Sequence, residues 1–244
     1  MEEAPDSHAR SARRLLGGGL LSALLGTLLS GPVALLTVSL TRPQPPWRDA
    51  ATFARHYHPI QLLPFAFGMG LVVGFALTVA GLHRLASPSQ RVRTTAALIF
   101  TAAFVALIFL NYVLQVSFVP QLLSTVSAGG APLIAAFSMT NPRSLAWGLE
   151  MWGYGLLGGA TWLCAPVLWG AGWSARASAW AFALNGPVSI AGAVATVVGR
   201  DWLLQPAGLA AFAAWNALVV AMCALGLWSL RARGPALLAG RAVS

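Results

Sequence analysis

Charge is what this sequence lacks most. Asp, Glu, Lys and Arg make up only 9% of its 244 residues, against 57% hydrophobic residues and a mean hydropathy of +0.72. Soluble domains carry about 25% charged residues, so a compact fold dissolved in water is excluded, and a disordered chain or a nucleic-acid-binding domain with it. Lysine is absent altogether. That excludes a retinal Schiff base, lysine nucleophiles and a P-loop lysine. Cysteine is nearly absent too. Cys164 and Cys223 sit in apolar runs outside any CxxC pair, so they read as small packing residues and not as a disulfide enzyme. Acids are few: Glu2, Glu3, Asp6, Asp49, Glu150 and Asp201.

Long apolar runs fill the space that charge vacates. A helix needs about 20 such residues to cross the hydrocarbon layer, and six runs reach that length: 15–40, 60–85, 95–122, 145–169, 178–198 and 206–230. None shows the alternation of a barrel strand. The expected fold is therefore all-α: one domain of six transmembrane helices spanning 15–230, with tails at 1–14 and 231–244. The first run follows Arg10, Arg13 and Arg14 but is too long for a signal peptide, and reads as a retained signal anchor. Segment 42–59 carries Pro43, Pro45, Pro46 and Pro59 and reads as a loop. Segments 171–177 and 199–205 read as tight turns. Pro132–Met139 is apolar but too short to span, and fits an interfacial or re-entrant piece.

Orientation follows arginine. With the N-terminus inside, Arg10, Arg13, Arg14, Arg84, Arg91, Arg93, Arg176, Arg231, Arg233 and Arg241 face the cytoplasm, and Arg42, Arg48, Arg55, Arg143 and Arg200 face out: ten against five of the fifteen. Six spans then put both termini in the cytoplasm. The net charge of +9 comes from arginines flanking apolar runs, so the expected partners are membrane lipids, with other membrane proteins or a second copy of the chain as further candidates, and not nucleic acid. Tryptophans at the run ends form an interfacial belt. The Ala, Leu, Gly and Arg bias without lysine suggests a GC-rich bacterial genome, hence the inner membrane. Gly70 with Gly74, and Gly155 with Gly159, are small-xxx-small pairs that let helices approach closely. No internal repeat is evident.

Glu150 is the one acid inside a run, about six residues or roughly 9 Å from its outer end. An ionised acid at a helix centre costs about 2.5–3.5 kcal/mol, so Glu150 should have company. Counting depth from the outer ends brings Tyr154, Asn111, Gln115, Gln61 and His58 to the same level. Asn111 and Gln115 are spaced i, i+4 and share a face, as do Glu150 and Tyr154; Tyr112 lies on an adjacent strip. The functional reading is a pocket open to the outside with Glu150 as proton acceptor or cation site. The structural reading is an interhelical hydrogen-bond network at roughly 0.6 kcal/mol per bond. Asn185 and Pro187 suggest a break in the fifth helix, lining a cavity beside Asn216.

His56 and His58 could share a metal with Glu150 only as a weak pattern, and His58 and His83 lie near opposite membrane faces, so neither metal nor haem nor any other cofactor is expected. HExxH, paired intramembrane carboxylates and a serine–histidine pair are missing. The leading expectation is small-molecule or ion transport, or ligand binding, through this pocket. An accessory or scaffold subunit and a lipid-modifying intramembrane enzyme pairing Glu150 with His58 are the alternatives.

Overall fold

The computed structural model describes residues 5–199 and 202–233. Residues 1–4, Arg200, Asp201 and Arg241, which enter the charge argument, lie outside the described residues, as do residues 234–244 of the C-terminal tail. The described residues contain no strands and are 88% helical. Its helices are α1 (Pro5–Leu28), α2 (Ala34–Thr41), α3 (Ala50–His56), α4 (Leu63–Leu85), α5 (Arg91–Val113), α6 (Val119–Leu122), α7 (Ala131–Phe137), α8 (Leu145–Leu168), α9 (Trp173–Val198) and α10 (Pro206–Arg233).

Two pairs among these are single rods carrying a wide turn. A π-helical turn at Leu29–Val33 joins α1 to α2, and another at Leu114–Phe118 joins α5 to α6. Proline accounts for both positions. It has no N–H to give, and its ring crowds the carbonyl four residues back. Pro32 lies inside the first wide turn, and Pro120 follows the second, four residues after Val116.

Six rods form a closed ring in chain order: α1–α2, α4, α5–α6, α8, α9 and α10, with α10 returning to α1. Neighbours run antiparallel. Leu16 lies against Gly81 and Leu71 against Gly26, while Gly17 lies near Leu230 and Leu20 near Gly226. The start of α1 and the end of α10 therefore meet at the same end of the bundle. The core between the rods is apolar and aromatic, with Phe75, Phe104, Phe182, Ile108 and Leu157 inaccessible.

The outside of the ring is also apolar: Leu35, Leu36, Ile99 and Val197 are each more than half exposed. Such a surface belongs in lipid. Among the described residues, five segments are long and apolar enough to cross a membrane: Ser7–Thr41, Pro59–Leu85, Pro88–Ala128, Trp173–Val198 and Pro206–Ala232. This is a helical, multi-pass, membrane-embedded protein. The 24-residue α8 is not among the five, since Glu150 and several glycines and tryptophans dilute its apolar character.

Three boundaries differ from expectation. Helix α1 begins at Pro5, so most of segment 1–14 is helical and not a loose tail. Helix α9 begins at Trp173 and not at 178, because Ser174 and Arg176 extend the helix past its apolar run. The proline-rich stretch 42–59 holds a short helix, α3. Asp49 starts it by accepting a hydrogen bond from the Thr52 amide (2.6 Å), and that bond holds the exposed Asp49 carboxyl below its ordinary range. Helix α3 packs Phe53 against Ile134 of α7 and Val119 of α6, forming a small apolar cap at the end of the bundle away from the termini.

Candidate functional site

Glycine sets the site's geometry. Near the capped end, a methyl on Gly153 of α8 would come within 2.6 Å of Ile108 Cδ1 on α5, and one on Gly68 of α4 within 2.5 Å of the Tyr112 ring. The first glycine lets α5 and α8 approach. The second gives the Tyr112 ring its place between α4 and α8. Glu150, one turn before Gly153, then meets two donors from α5.

Asn111 Nδ2 donates to Glu150 Oε2 at 2.8 Å and the Tyr112 hydroxyl donates to Glu150 Oε1 at 3.0 Å. With its one proton committed, the Tyr112 oxygen accepts from Tyr154, whose hydroxyl lies 3.1 Å away. Gln115 Nε2 donates to Asn111 Oδ1 (3.2 Å) and to the Phe137 carbonyl (2.8 Å), while Gln115 Oε1 accepts from the Met139 amide (3.0 Å). The Trp147 indole donates to the Met139 carbonyl at 2.6 Å. A glutamine in the π-helical turn thus clamps the chain after α7 over the network. Asn111, Gln115 and Tyr112 are buried, at 0%, 4% and 5% exposure.

The structure therefore brings Glu150, Asn111, Gln115 and Tyr154 together. Tyr112, placed on an adjacent strip by helix counting, contacts Glu150 directly. His58 and Gln61 do not join. His58 Nδ1 accepts from the Ile60 amide (3.2 Å), and Gln61 donates to the Arg42 and His56 carbonyls at 3.2 and 3.0 Å while capping the His58 amide. Both are spent on the turn that starts α4. His56 is likewise local, with Nδ1 2.9 Å from the Thr52 carbonyl. Among the described residues no group of three or more His, Cys, Asp or Glu could hold a metal. Cys164 and Cys223 are buried and free.

Helix α9 runs unbroken through Asn185 and Pro187, which corrects the expected break. Asn185 serves the packing of α8, α9 and α10 instead. Its Nδ2 donates to Thr161 (3.0 Å), and its Oδ1 accepts from Ser189 (3.1 Å) and from the Trp215 indole (3.2 Å). Asn216 lies elsewhere, donating to the Phe212 carbonyl at 2.9 Å with its oxygen near Gly31.

A cavity of about 380 Å³ opens where α8, α9 and α10 diverge. Glu150 and Tyr154 form its α8 wall, Ser189 its α9 wall, Phe212 and Trp215 its α10 wall, and Trp202 lies between α9 and α10. Glu150, only partly buried, thus stands with one side in the hydrogen-bond network and the other on the cavity. The Ser189 hydroxyl and Trp215 indole are satisfied by the Asn185 cluster, while the buried Trp202 indole nitrogen has no hydrogen-bond partner among the described residues. Trp202 and Trp215 could have been found only by knowing that α10 faces α8 across a gap. Comparison with protein-family models, with curated proteins and with solved structures finds no match.

Proposed function

We propose that this chain is a six-span protein of the bacterial inner membrane, with α8 as the sixth span and both termini in the cytoplasm. It binds or carries a small molecule or ion through a pocket in the outer half centred on Glu150. One observation supports this reading above the others: the carboxyl group held by Asn111 and Tyr112 also lines a cavity of about 380 Å³. A carboxyl kept only to tie helices together has no need of a cavity beside it, and small-molecule sites commonly occupy about 300–1,000 Å³. An ionisable group inside a membrane span that also faces a cavity is suited to exchange a proton or a cation with whatever enters.

Cysteine accessibility tests this. Ala195 lies on the cavity wall, and Ala195→Cys in a background with Cys164 and Cys223 replaced supplies a single thiol. In intact spheroplasts, a membrane-impermeant maleimide is expected to label it from outside. Labelling only after detergent extraction would mean a sealed bundle and favour the scaffold alternative. Reporter fusions at both termini test the topology, since an external signal from either end contradicts it.

A further inference from the structure

Resting on the pocket reading above, we infer that the cavity between α8, α9 and α10 takes a hydrophobic organic cation, an ammonium group carrying apolar or aromatic substituents. The argument is one of unmet charge. Among the described residues that line the cavity, Glu150 is the one ionisable acid or base apart from the phenol of Tyr154, and none is an arginine or a histidine. Its partners among the described residues are the neutral groups of Asn111 and Tyr112, one donor to each oxygen. Two donors fix the carboxylate's orientation and leave about half of its roughly four lone-pair sites open. Removing a carboxylate from water without a counter-charge is costly, and a cation in the cavity supplies that charge.

The rest of the wall fits the same ligand. Tyr154 and Trp215 meet edge to face with centroids 4.9 Å apart, Phe212 stacks on Trp215 at 6.0 Å, and Trp202 adds a further indole. Aromatic faces attract cations, most strongly where water is excluded. The polar atoms of Tyr154, Ser189 and Trp215 are already engaged within the protein. Anions find no positive group among the described residues of this wall. A strongly hydrated inorganic cation would meet one carboxylate among carbon atoms, too few oxygens to replace its water shell.

The test uses the full chain in nanodiscs of zwitterionic lipid, with benzyltrimethylammonium as cation and neopentylbenzene, the same shape without charge, as its neutral counterpart. Calorimetric titration is expected to show one cation bound per chain, roughly tenfold or more tighter than the neutral compound. Glu150→Gln should lose that advantage. Trp202→Ala should weaken the cation severalfold while Trp202→Phe, which keeps a ring and removes the N–H, retains it. Equal binding of the two compounds overturns the cation inference and leaves the pocket reading standing. Undiminished cation binding by a folded Glu150→Gln also overturns it, as does an equal loss in Trp202→Phe and Trp202→Ala, which would assign the indole donor and not the ring. If neither compound binds, the cation inference fails, and labelling of Ala195→Cys decides separately whether the pocket reading fails with it.

Discussion

The α1–α4 pair and the α8–α9 pair both carry glycines in their seams, but the neighbours of those glycines differ. In the first pair backbone meets backbone: a methyl on Gly19 would lie 2.5 Å from the Thr78 amide nitrogen and one on Gly81 2.8 Å from that of Leu16. In the second pair glycine makes room mainly for side chains, though a methyl on Gly158 would also lie 3.0 Å from the Asn185 and Gly186 carbonyls. Gly155 faces Ala193 Cβ at 2.9 Å, Gly158 faces Ser189 Cβ at 2.6 Å, and Gly186 faces Trp162 Cβ at 2.7 Å. Across the first seam the Ser22 hydroxyl donates to the Gly70 carbonyl at 2.8 Å. The second carries Thr161, Asn185 and Ser189, and the last two accept from the Trp215 indole of α10. Backbone-to-backbone packing closes a seam. Packing that leaves room for polar side chains lets a third helix be tied on at a distance, and the cavity is the space so created.

This contrast can be broken by substitution. The largest effect is expected at Gly74→Ala, where the new methyl meets the Ala23 backbone and neither helix can yield: roughly 2–3 kcal/mol of lost stability, in the upper range for overpacking. Gly155→Ala meets the Ala193 methyl at 2.9 Å and the Ser189 carbonyl at an ordinary 3.7 Å, and should cost about 1 kcal/mol. Equal losses in unfolding titrations of the two variants would erase the distinction between the seams. Next comes Asn185→Ala, which removes a donor to Thr161 and the acceptor shared by Ser189 and Trp215, at roughly 1–3 kcal/mol. Its counterpart Ser22→Ala in the first seam should cost about 0.6 kcal/mol. A smaller loss for Asn185→Ala than for Ser22→Ala would mean that the polar seam is ornamental. The smallest effect is expected at Gly70→Ala. No atom lies within 4 Å of the new methyl, so helix propensity alone should leave the protein unchanged or stabilised by up to about 1 kcal/mol.

Gly70 also shows what the amino-acid order reveals and what it hides. The small-xxx-small spacing marks Gly70 with Gly74 and Gly155 with Gly159, yet the close approaches are at Gly74 with Gly81 and at Gly155 with Gly158. Gly159 meets Phe100 at an ordinary 3.5 Å. Spacing says that two residues share a face, but not which partner that face will meet. Depth along a span is legible, because each residue advances a helix by a fixed rise. That is why Glu150, Asn111, Gln115 and Tyr154 could be placed together from their positions in the chain. Rotation about the helix axis is not legible in this way. His58 and Gln61 have the expected depth but spend their polar atoms on the turn before α4, and Tyr112 reaches Glu150 from a strip that helix counting set aside. Helix α3 was hidden by the prolines before it, and the start of α9 by Ser174 and Arg176, since hydropathy marks where lipid begins and not where a helix does. The cavity depends on α10 standing away from α8, a tertiary relation that no single run expresses.

The most direct measurement concerns the carboxyl group on which the whole account turns. An apolar carbodiimide added to the protein in lipid bilayers, followed by peptide mass spectrometry, reports whether Glu150 can be reached. The account predicts that Glu150 is modified and that Ala195→Trp, which fills the cavity, slows its modification without slowing that of the exposed Asp49. Modification of Asp49 alone, with Glu150 untouched in the native bilayer and reactive only after unfolding, would contradict it.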